Sequence, residues 1–285
     1  MKRNKLILSA SCLLALTLLT ISCSKEHAPD IKESQLSVLM EDADDALILE
    51  QILDEVMVDL ERYEYLKSSD VCPVRTIETP EEGNYPKIVT KDFGEGCAVH
   101  ESGKIRSGKI IITIRGPWCQ KGSVRKITFE NYKHGNTLIE GSKKIVCMGK
   151  TDEGHIWHTI AGNIILTRKK DGKKLVIFHH LAKDRYMING FNDREVPNEW
   201  LIEGEVKVHK SNGVSYKVII SESAPLYRIQ GCRWFQSGIK QIESGENLIL
   251  LDYGYVGPED SACDSWMLRT VNDEEGEAIN LASKR

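Results

Sequence analysis

Apolar and charged residues alternate along most of the chain from Pro86 onward, as in strands with one buried and one solvated face. The clearest case is GEVKVHKSNGVSYKVII, in which apolar residues at every second position precede and follow Asn212-Gly213. An Asn-Gly pair tolerates positive φ at both central positions of a type I′ turn, so the segment predicts a β-hairpin. The segment LTRKKDGKKLVIF has a similar two-residue turn sequence, Asp171-Gly172, and it predicts a second β-hairpin. Successive hairpins predict a mainly β domain, an antiparallel meander that is closed into a barrel or folded into a sandwich.

The segment SVRKITFENY shows how alternation assigns the two faces of one strand. One face receives Arg125, Ile127, Phe129 and Asn131, and the other receives Val124, Lys126, Thr128, Glu130 and Tyr132. The many Lys and Glu residues at alternating positions elsewhere indicate that one face of much of the sheet is wet.

A helical period precedes the β region, within residues 41–66. Apolar residues fall there at helical spacing: Leu49, Ile52, Leu53, Val56, Leu60 and Tyr63. Nine acidic residues and no basic residue lie between Glu41 and Glu61. The pattern predicts an acidic amphipathic helix. We favour a helix that caps the edge or end of its own domain over one that docks on a partner.

The first residues, MKRNKLILSASCLLALTLLTISCSKE, combine a basic start with a short apolar run, which is the layout of a secretory signal. The run ends in TISC, which resembles the lipobox of bacterial lipoproteins, although Thr20 departs from the usual aliphatic residue. This resemblance implies cleavage after residue 22 and acylation of Cys23, with palmitate in the anchor; the alternative is a plain signal peptide. Residues 23–40 are polar and predict a flexible tether. We therefore expect a protein attached by lipid to the cell envelope, at the outer membrane, with the periplasmic or surface side left open.

Charge argues against nucleic acid as a partner. Removal of residues 1–22 takes away three positive charges and no negative charge, so the formal net charge moves from −4 to −7. A mildly acidic chain without a basic run has no electrostatic footprint for a phosphate backbone.

Six cysteines remain after the leader and Cys23: Cys72, Cys97, Cys119, Cys147, Cys232 and Cys263. An even number in an exported chain predicts three disulfides, with fifteen connectivities. When Cys72 is laid over Cys232, Asp92 falls on Asp252 and Gly94 on Gly254. We predict a β domain over residues 67–285, with an internal repeat at 72–97 and 232–263. The repeat suggests that each copy closes its own disulfide, Cys72–Cys97 and Cys232–Cys263. Cys119 and Cys147 would then form the third disulfide. In the first copy the Asp-aromatic-Gly segment reads DFG, as in protein kinases. The sequence has no Gly-rich loop after a strand and no HRD-like segment, so we predict that the segment is a structural turn.

The blocks CPVRTIE, IVTKDFGEGC, RSGKIIITIRG, GCRWFQSGIKQI and LLDYGYVGPEDSACDS resemble, in order and spacing, those of a group of Bacteroidota-type cell-envelope lipoproteins. The resemblance covers the chain from Cys72 to its end. Cys119 and Cys147 depart from the group's pattern. Because the group has no assigned activity, the resemblance implies an envelope location and a β-rich build, and it supplies no catalytic residue.

Candidate chemistry is sparse, and we predict no catalytic residue, metal or cofactor. His155 and His158, like His179 and His180, would point to opposite faces of a strand, so one metal could not take both. Trp118, Trp234 and Trp266 are the candidate ligand contacts, since exposed aromatic faces serve carbohydrate sites. The function predicted is a non-enzymatic binding or structural module with an envelope protein or a glycan as partner. The alternative is a glycan-binding or glycan-processing hydrolase accessory on the outer membrane.

Overall fold

A single antiparallel sheet carries the described part of the chain. In the computed structural model, the described residues are 72–79, 84–98, 105–190, 196–232, 234–257, 263–272 and 274–282. They lie in one compact unit within Leu39–Arg285. The strands in these ranges are β1 (Val74–Glu78), β2 (Lys87–Asp92), β3 (Cys97–Ala98), β4 (Ile105–Arg115), β5 (Val124–His134), β6 (Thr137–Lys150), β7 (Ile156–Lys170), β8 (Lys173–Asn189), β9 (Glu199–Lys210), β10 (Ser215–Ile220), β11 (Leu226–Ile229), β12 (Ile239–Ser244), β13 (Asn247–Asp252), β14 (Trp266–Val271) and β15 (Glu277–Asn280).

Strand order follows the sequence almost without interruption. The hydrogen-bonded path is β1-β2-β4-β5-β6-β7-β8-β9-β10-β12-β13-β14-β15, while β3 pairs with β4 and β11 with β9 off the path. The mainly β, antiparallel prediction is therefore confirmed. The predicted signal peptide, tether and acidic helix lie outside the described residues. Within those residues, no helix is long and apolar enough to cross a membrane.

The two predicted hairpins are present, but only one has the predicted turn. Asp171 and Gly172 both have positive φ, 49° and 73°, and Lys170 pairs with Lys173, as a type I′ turn requires. At the other hairpin the loop spans Ser211, Asn212 and Gly213, closed by a hydrogen bond from Lys210 N–H to the Val214 carbonyl. Positive φ falls there on Gly213 alone. The type I′ prediction at Asn212-Gly213 is wrong, because a three-residue loop needs only one left-handed position.

The predicted faces of β5 hold only for its first half. Arg125 and Ile127 are buried, but Asn131 adopts φ 49° and the register with β6 shifts between Thr128 and Lys133. This irregularity turns the strand over, so Tyr132, predicted on the opposite face from Ile127, is 1% exposed and joins the core. A β-bulge has this effect because it adds one residue to a side-chain period of two.

One hydrophobic cluster runs through most of the sheet, from Val89 on β2 to Leu281 after β15. A smaller cluster holds Cys147, Ile156, Met187 and Trp200. Among the described residues, the buried side chains of the Asp, Glu, Lys, Arg and His types are all Lys, Arg or His: Lys91, Arg106, Arg125, His134, Lys143, His158, His179, Arg185, Lys210, Lys240 and Arg269. The core side of the sheet therefore holds Lys and Arg side chains as well as apolar ones.

Candidate functional site

The repeated Asp-aromatic-Gly segments form the same turn in both copies. Asp92 ends β2 and Asp252 ends β13. The Oδ1 atom of each accepts a hydrogen bond of 2.8 Å from the backbone N–H of Gly94 or Gly254. The Gly94 N–H holds the pKa of Asp92 below its ordinary value, and Lys109, whose Nζ lies 3.3 Å from Oδ2, acts in the same direction. These hydrogen bonds indicate that both carboxylates stabilise the turns in which they lie.

Two of the three predicted disulfides are confirmed, Cys72–Cys97 and Cys232–Cys263. The third is wrong, since no disulfide joins Cys119 to Cys147. Cys147 is buried on β6 opposite His158, and Cys119 packs against the same small cluster from the turn after β4. Cys147 thus serves as a small packing residue, which is how cysteine outside a disulfide commonly behaves.

The three predicted ligand-contact tryptophans lie in different parts of the sheet, and all are half-buried. Trp118 lies in the turn between β4 and β5, and Trp234 packs against the large core between β11 and β12. Trp266 begins β14, where Gly257 packs so closely on its ring that a Cβ at position 257 would overlap the indole. Their role as ligand contacts stays a prediction.

The histidines do not converge on one point. His179 is buried and His180 exposed, as predicted for neighbours on a strand. His158 pairs with Arg185 whereas His179 pairs with Ile164, which separates the two by six positions of β7, roughly 20 Å. The described residues contain no group of three or more His, Cys, Asp or Glu side chains able to hold a metal ion.

A row of aromatic side chains crosses the face opposite the core. Trp157 of β7 pairs with Tyr186 of β8, Tyr186 with Leu201 of β9, and Leu201 with Tyr227 of β11. We call Trp157, Tyr186 and Tyr227 the aromatic row. All three are half-buried, and the rings of Trp157 and Tyr186 lie 6.4 Å apart with an interplanar angle of 19°. With strands about 4.8 Å apart, the row spans roughly 14 Å.

Each polar tip of the aromatic row meets a carboxylate. Trp157 Nε1 donates to Asp184 Oδ1 at 2.7 Å, Tyr186 OH to Glu203 Oε1 at 2.9 Å and Tyr227 OH to Glu199 Oε2 at 2.8 Å. Burial and the bond to Glu203 raise the pKa of Tyr186. Burial and the bond to Glu199 raise the pKa of Tyr227 to about 12. Both phenols therefore stay protonated donors at neutral pH.

This arrangement suits binding better than bond breaking. A carboxylate has about four acceptor positions, so each one still offers oxygen lone pairs beside an aromatic ring. Ring faces contact the apolar side of a sugar, and neighbouring oxygens accept hydrogen bonds from its hydroxyls. The span of the row matches a short oligosaccharide more closely than a single small molecule.

The sequence predicts which face of a strand receives Trp157, but it does not predict how the aromatic row aligns across strands. Trp157 stands between buried Ile156 and His158, so alternation alone would have placed it on the outer face. Its alignment with Tyr186 and Tyr227 depends on the register of three strand pairs. The register could not be predicted from the sequence, because the pairing partners depend on loop lengths and bulges along the whole meander.

In comparisons with known proteins, no protein-family model, no curated protein and no solved structure matches this chain.

Proposed function

We propose that the chain is a lipid-anchored protein of the bacterial envelope that acts as a non-enzymatic binding module through the outer face of its sheet. The basic and apolar leader before Cys23 supports the anchor and an outer-membrane location. The two disulfides support an oxidising compartment. The predicted acidic helix over 41–66 belongs to the same proposal as a cap on the domain. The sheet is proposed to fold back on itself, as a barrel or a sandwich, because one core joins residues of β2 to residues beyond β15.

The aromatic row is the observation that carries the binding role, and it favours a glycan over other ligands. Three aromatic side chains lie in register on the outer face, each with a carboxylate fixed beside it. A face built only for solvation needs neither feature, since Lys and Glu suffice there. A protein partner is the other occupant of such a face, because Trp and Tyr also anchor protein interfaces.

The test is glycan binding by the full chain, purified from membranes in detergent, with Trp157→Ala and Tyr186→Ala as variants. Each ring contact is worth about 0.5–1.5 kcal/mol, so each variant should bind roughly 2- to 10-fold more weakly. Phe178→Ala is the matched control. Phe178 is 47% exposed on the same face of β8, eight residues from Tyr186, and its loss should leave binding unchanged.

Three outcomes would contradict parts of the proposal. Equal weakening by Phe178→Ala would show that any exposed aromatic residue suffices. A stoichiometric protein captured from the envelope, together with no binding to any polysaccharide tested, would replace the glycan by a protein interface. Recovery of the chain outside the membrane fraction would overturn the anchor at Cys23.

A further inference from the structure

Lys and Arg side chains are buried on the core side of the sheet, where acidic residues of the described strands are nearly absent. We call the eight buried Lys and Arg residues the core-side cations: Lys91, Arg106, Arg125, Lys143, Arg185, Lys210, Lys240 and Arg269. The registers place Glu277 on this side, opposite Arg269, and place every other Asp and Glu of the described strands on the outer face. Burial of a cation is favourable only beside carboxylates or other acceptors. Further carboxylates on the core side would therefore come from a part of the chain outside these strands.

The position of Lys143 shows where such carboxylates are needed. This residue is 5% exposed and lies between Ile127 of β5 and Gly162 of β7 on the core side. It is six residues from the first residue of β6 and seven from the last, so the loops at both ends are roughly 20 Å away. An acidic partner for Lys143 has to lie over the middle of the sheet, and a short loop at the end of a strand does not reach that far.

A sheet of this size has room for another element on its core side. All strands except β3 and β11 follow one hydrogen-bonded path, thirteen strands in all, and one hydrophobic core joins β2 to residues beyond β15. The enclosed width of a curled sheet grows with strand number: about eight strands are filled by their own side chains, whereas cans of about eleven strands hold a central helix. Gly162 and Gly204, on the core side beside Lys143 and Lys183, project no side chain into this space.

The predicted acidic helix over residues 41–66 is complementary to the core side in both polarity and charge. Its apolar stripe suits the apolar core residues. Asp45 lies four residues before Leu49, and Asp59 lies seven residues after Ile52, so helical spacing places both carboxylates on the stripe itself. Asp44 falls away from the stripe. The helix is also close enough, because only six residues separate position 66 from position 72, where the described chain begins, a reach of about 20 Å.

We propose that residues 41–66 dock as a helix on the core side of the sheet, where their carboxylates pair with the core-side cations and their apolar stripe joins the hydrophobic core. The occupant of the core side is thus a segment of this chain. This docking requires the folded-back sheet and the helical cap proposed above, and it is independent of glycan binding. It also leaves the outer face, with its aromatic row, as the side of the sheet that meets ligands.

The test is retention of this segment after the chain is cut. A protease recognition site is inserted between Leu66 and Lys67 of the full chain, which carries a carboxyl-terminal affinity tag and is purified in detergent. After cleavage, the fragment that contains residues 41–66 should be captured together with the tagged sheet. The matched control has the same site between Met40 and Glu41, and there the short amino-terminal fragment should be lost.

Neighbouring residues on opposite sides provide the variants. Lys143→Met removes a core-side cation, and Lys144→Met removes the exposed lysine next to it, which lies on the outer face. In the segment, Asp45→Asn removes a carboxylate of the stripe and Asp44→Asn removes its neighbour. Because loss of one partner leaves the other buried charge without compensation, Lys143→Met and Asp45→Asn should each raise the dissociation constant of the cut complex at least about tenfold. Lys144→Met and Asp44→Asn should change it less than about twofold.

Loss of the 41–66 fragment as complete as that of the control fragment would overturn the proposal. Equal weakening by Lys143→Met and Lys144→Met would do so too, since the segment would then not distinguish the core side from the outer face. Equal weakening by Asp44→Asn and Asp45→Asn would overturn the role of the stripe. Should Lys143→Met fail to fold, Lys183→Met on the same side of β8 gives the comparison. Retention of the fragment by a chain that binds no glycan would support the docking and contradict only the binding role of the outer face.

Discussion

Asp92 and Asp252 hold equivalent turns at the two ends of the sheet. Each is the last residue of the middle strand in a set of three, β1-β2-β4 and β12-β13-β14. Each accepts the N–H of the glycine two residues later, and the aromatic residue between them is buried in the core. A single carboxylate thus fixes both the end of a strand and the position of an aromatic side chain.

Asp92→Ala should lower the free energy of unfolding by about 1 kcal/mol at neutral pH, because the turn loses its hydrogen-bond acceptor. Asp92→Asn keeps an acceptor oxygen and should lose less. Since the folded-state pKa of Asp92 lies below its unfolded value of 3.8, the stabilisation by its charge is present above about pH 4 and is lost as pH falls through the folded pKa.

Urea unfolding of wild type and both Asp92 variants, at neutral pH and at about pH 3, measures this effect. The gap between wild type and Asp92→Asn should shrink in acid. A gap that widens in acid, or an Asp92→Ala variant as stable as wild type at neutral pH, would contradict the role given to this turn.

At the scale of single elements, irregularities in the strands decide which side chains reach the core. Gly108 has φ 77° at a register shift in β4, and Asn131 of β5 faces it with φ 49°. The Gly108 N–H donates to the Gly94 carbonyl, and its own carbonyl accepts from Phe93, so the bulge also touches the Asp92 turn. A Cβ at position 108 would overlap the backbone oxygen of Asn131.

Gly108→Ala should therefore destabilise the protein more than Gly172→Ala. Both positions have positive φ, for which alanine costs about 1–2 kcal/mol, but only Gly108 meets the neighbouring strand. We expect a loss of about 3 kcal/mol at Gly108, measured by urea unfolding. Equal losses at the two glycines would show that the neighbouring strand gives way without cost.

Hairpins and strands were predictable from this sequence, whereas bulges and register were not. The pair Asp171-Gly172 predicts a type I′ turn, because only a few residue types adopt two left-handed conformations in succession. Nothing in SVRKITFENY marks Asn131 as the point where β5 turns over. The aromatic row needs three registers to be right at once. Trp118 was singled out as a ligand contact, and that role stays a prediction.

On the scale of the whole molecule, charge is divided between the two sides of the sheet. Eight Lys and Arg residues and three His residues are buried among the described residues, and no Asp or Glu is. This division agrees with the proposed binding role of the outer face, where carboxylates lie beside the aromatic row.

The two disulfides divide the molecule in a second way, because each closes a loop at one end of the sheet. Cys72→Ser with Cys97→Ser should lower the free energy of unfolding by about 3 kcal/mol through loop entropy. Hydrogen exchange should accelerate in β1 and β2 and stay unchanged in β6 to β8. Cys119→Ser, which removes a thiol that belongs to neither disulfide, is the control and should change stability less than loss of the disulfide.

Thiol labelling gives an independent check on the cysteine assignment. A reagent added to the unfolded, unreduced chain should mark Cys119 and Cys147 and leave the four disulfide cysteines unmarked. Protection of Cys119 and Cys147 would restore the third disulfide. Uniform acceleration of exchange across the sheet would contradict the local action of the disulfide at the β1 end.

The sequential strand order also determines how this chain can assemble in time. Nearly every strand pairs with the strand that precedes it in the sequence. Strands can therefore pair one after another from the amino end, without threading of the chain and with only short loops to close. The first disulfide joins residues 25 apart and the second joins residues 31 apart. A chain that emerges amino end first can therefore seal its first three-stranded unit while the cysteines of the last one have yet to appear.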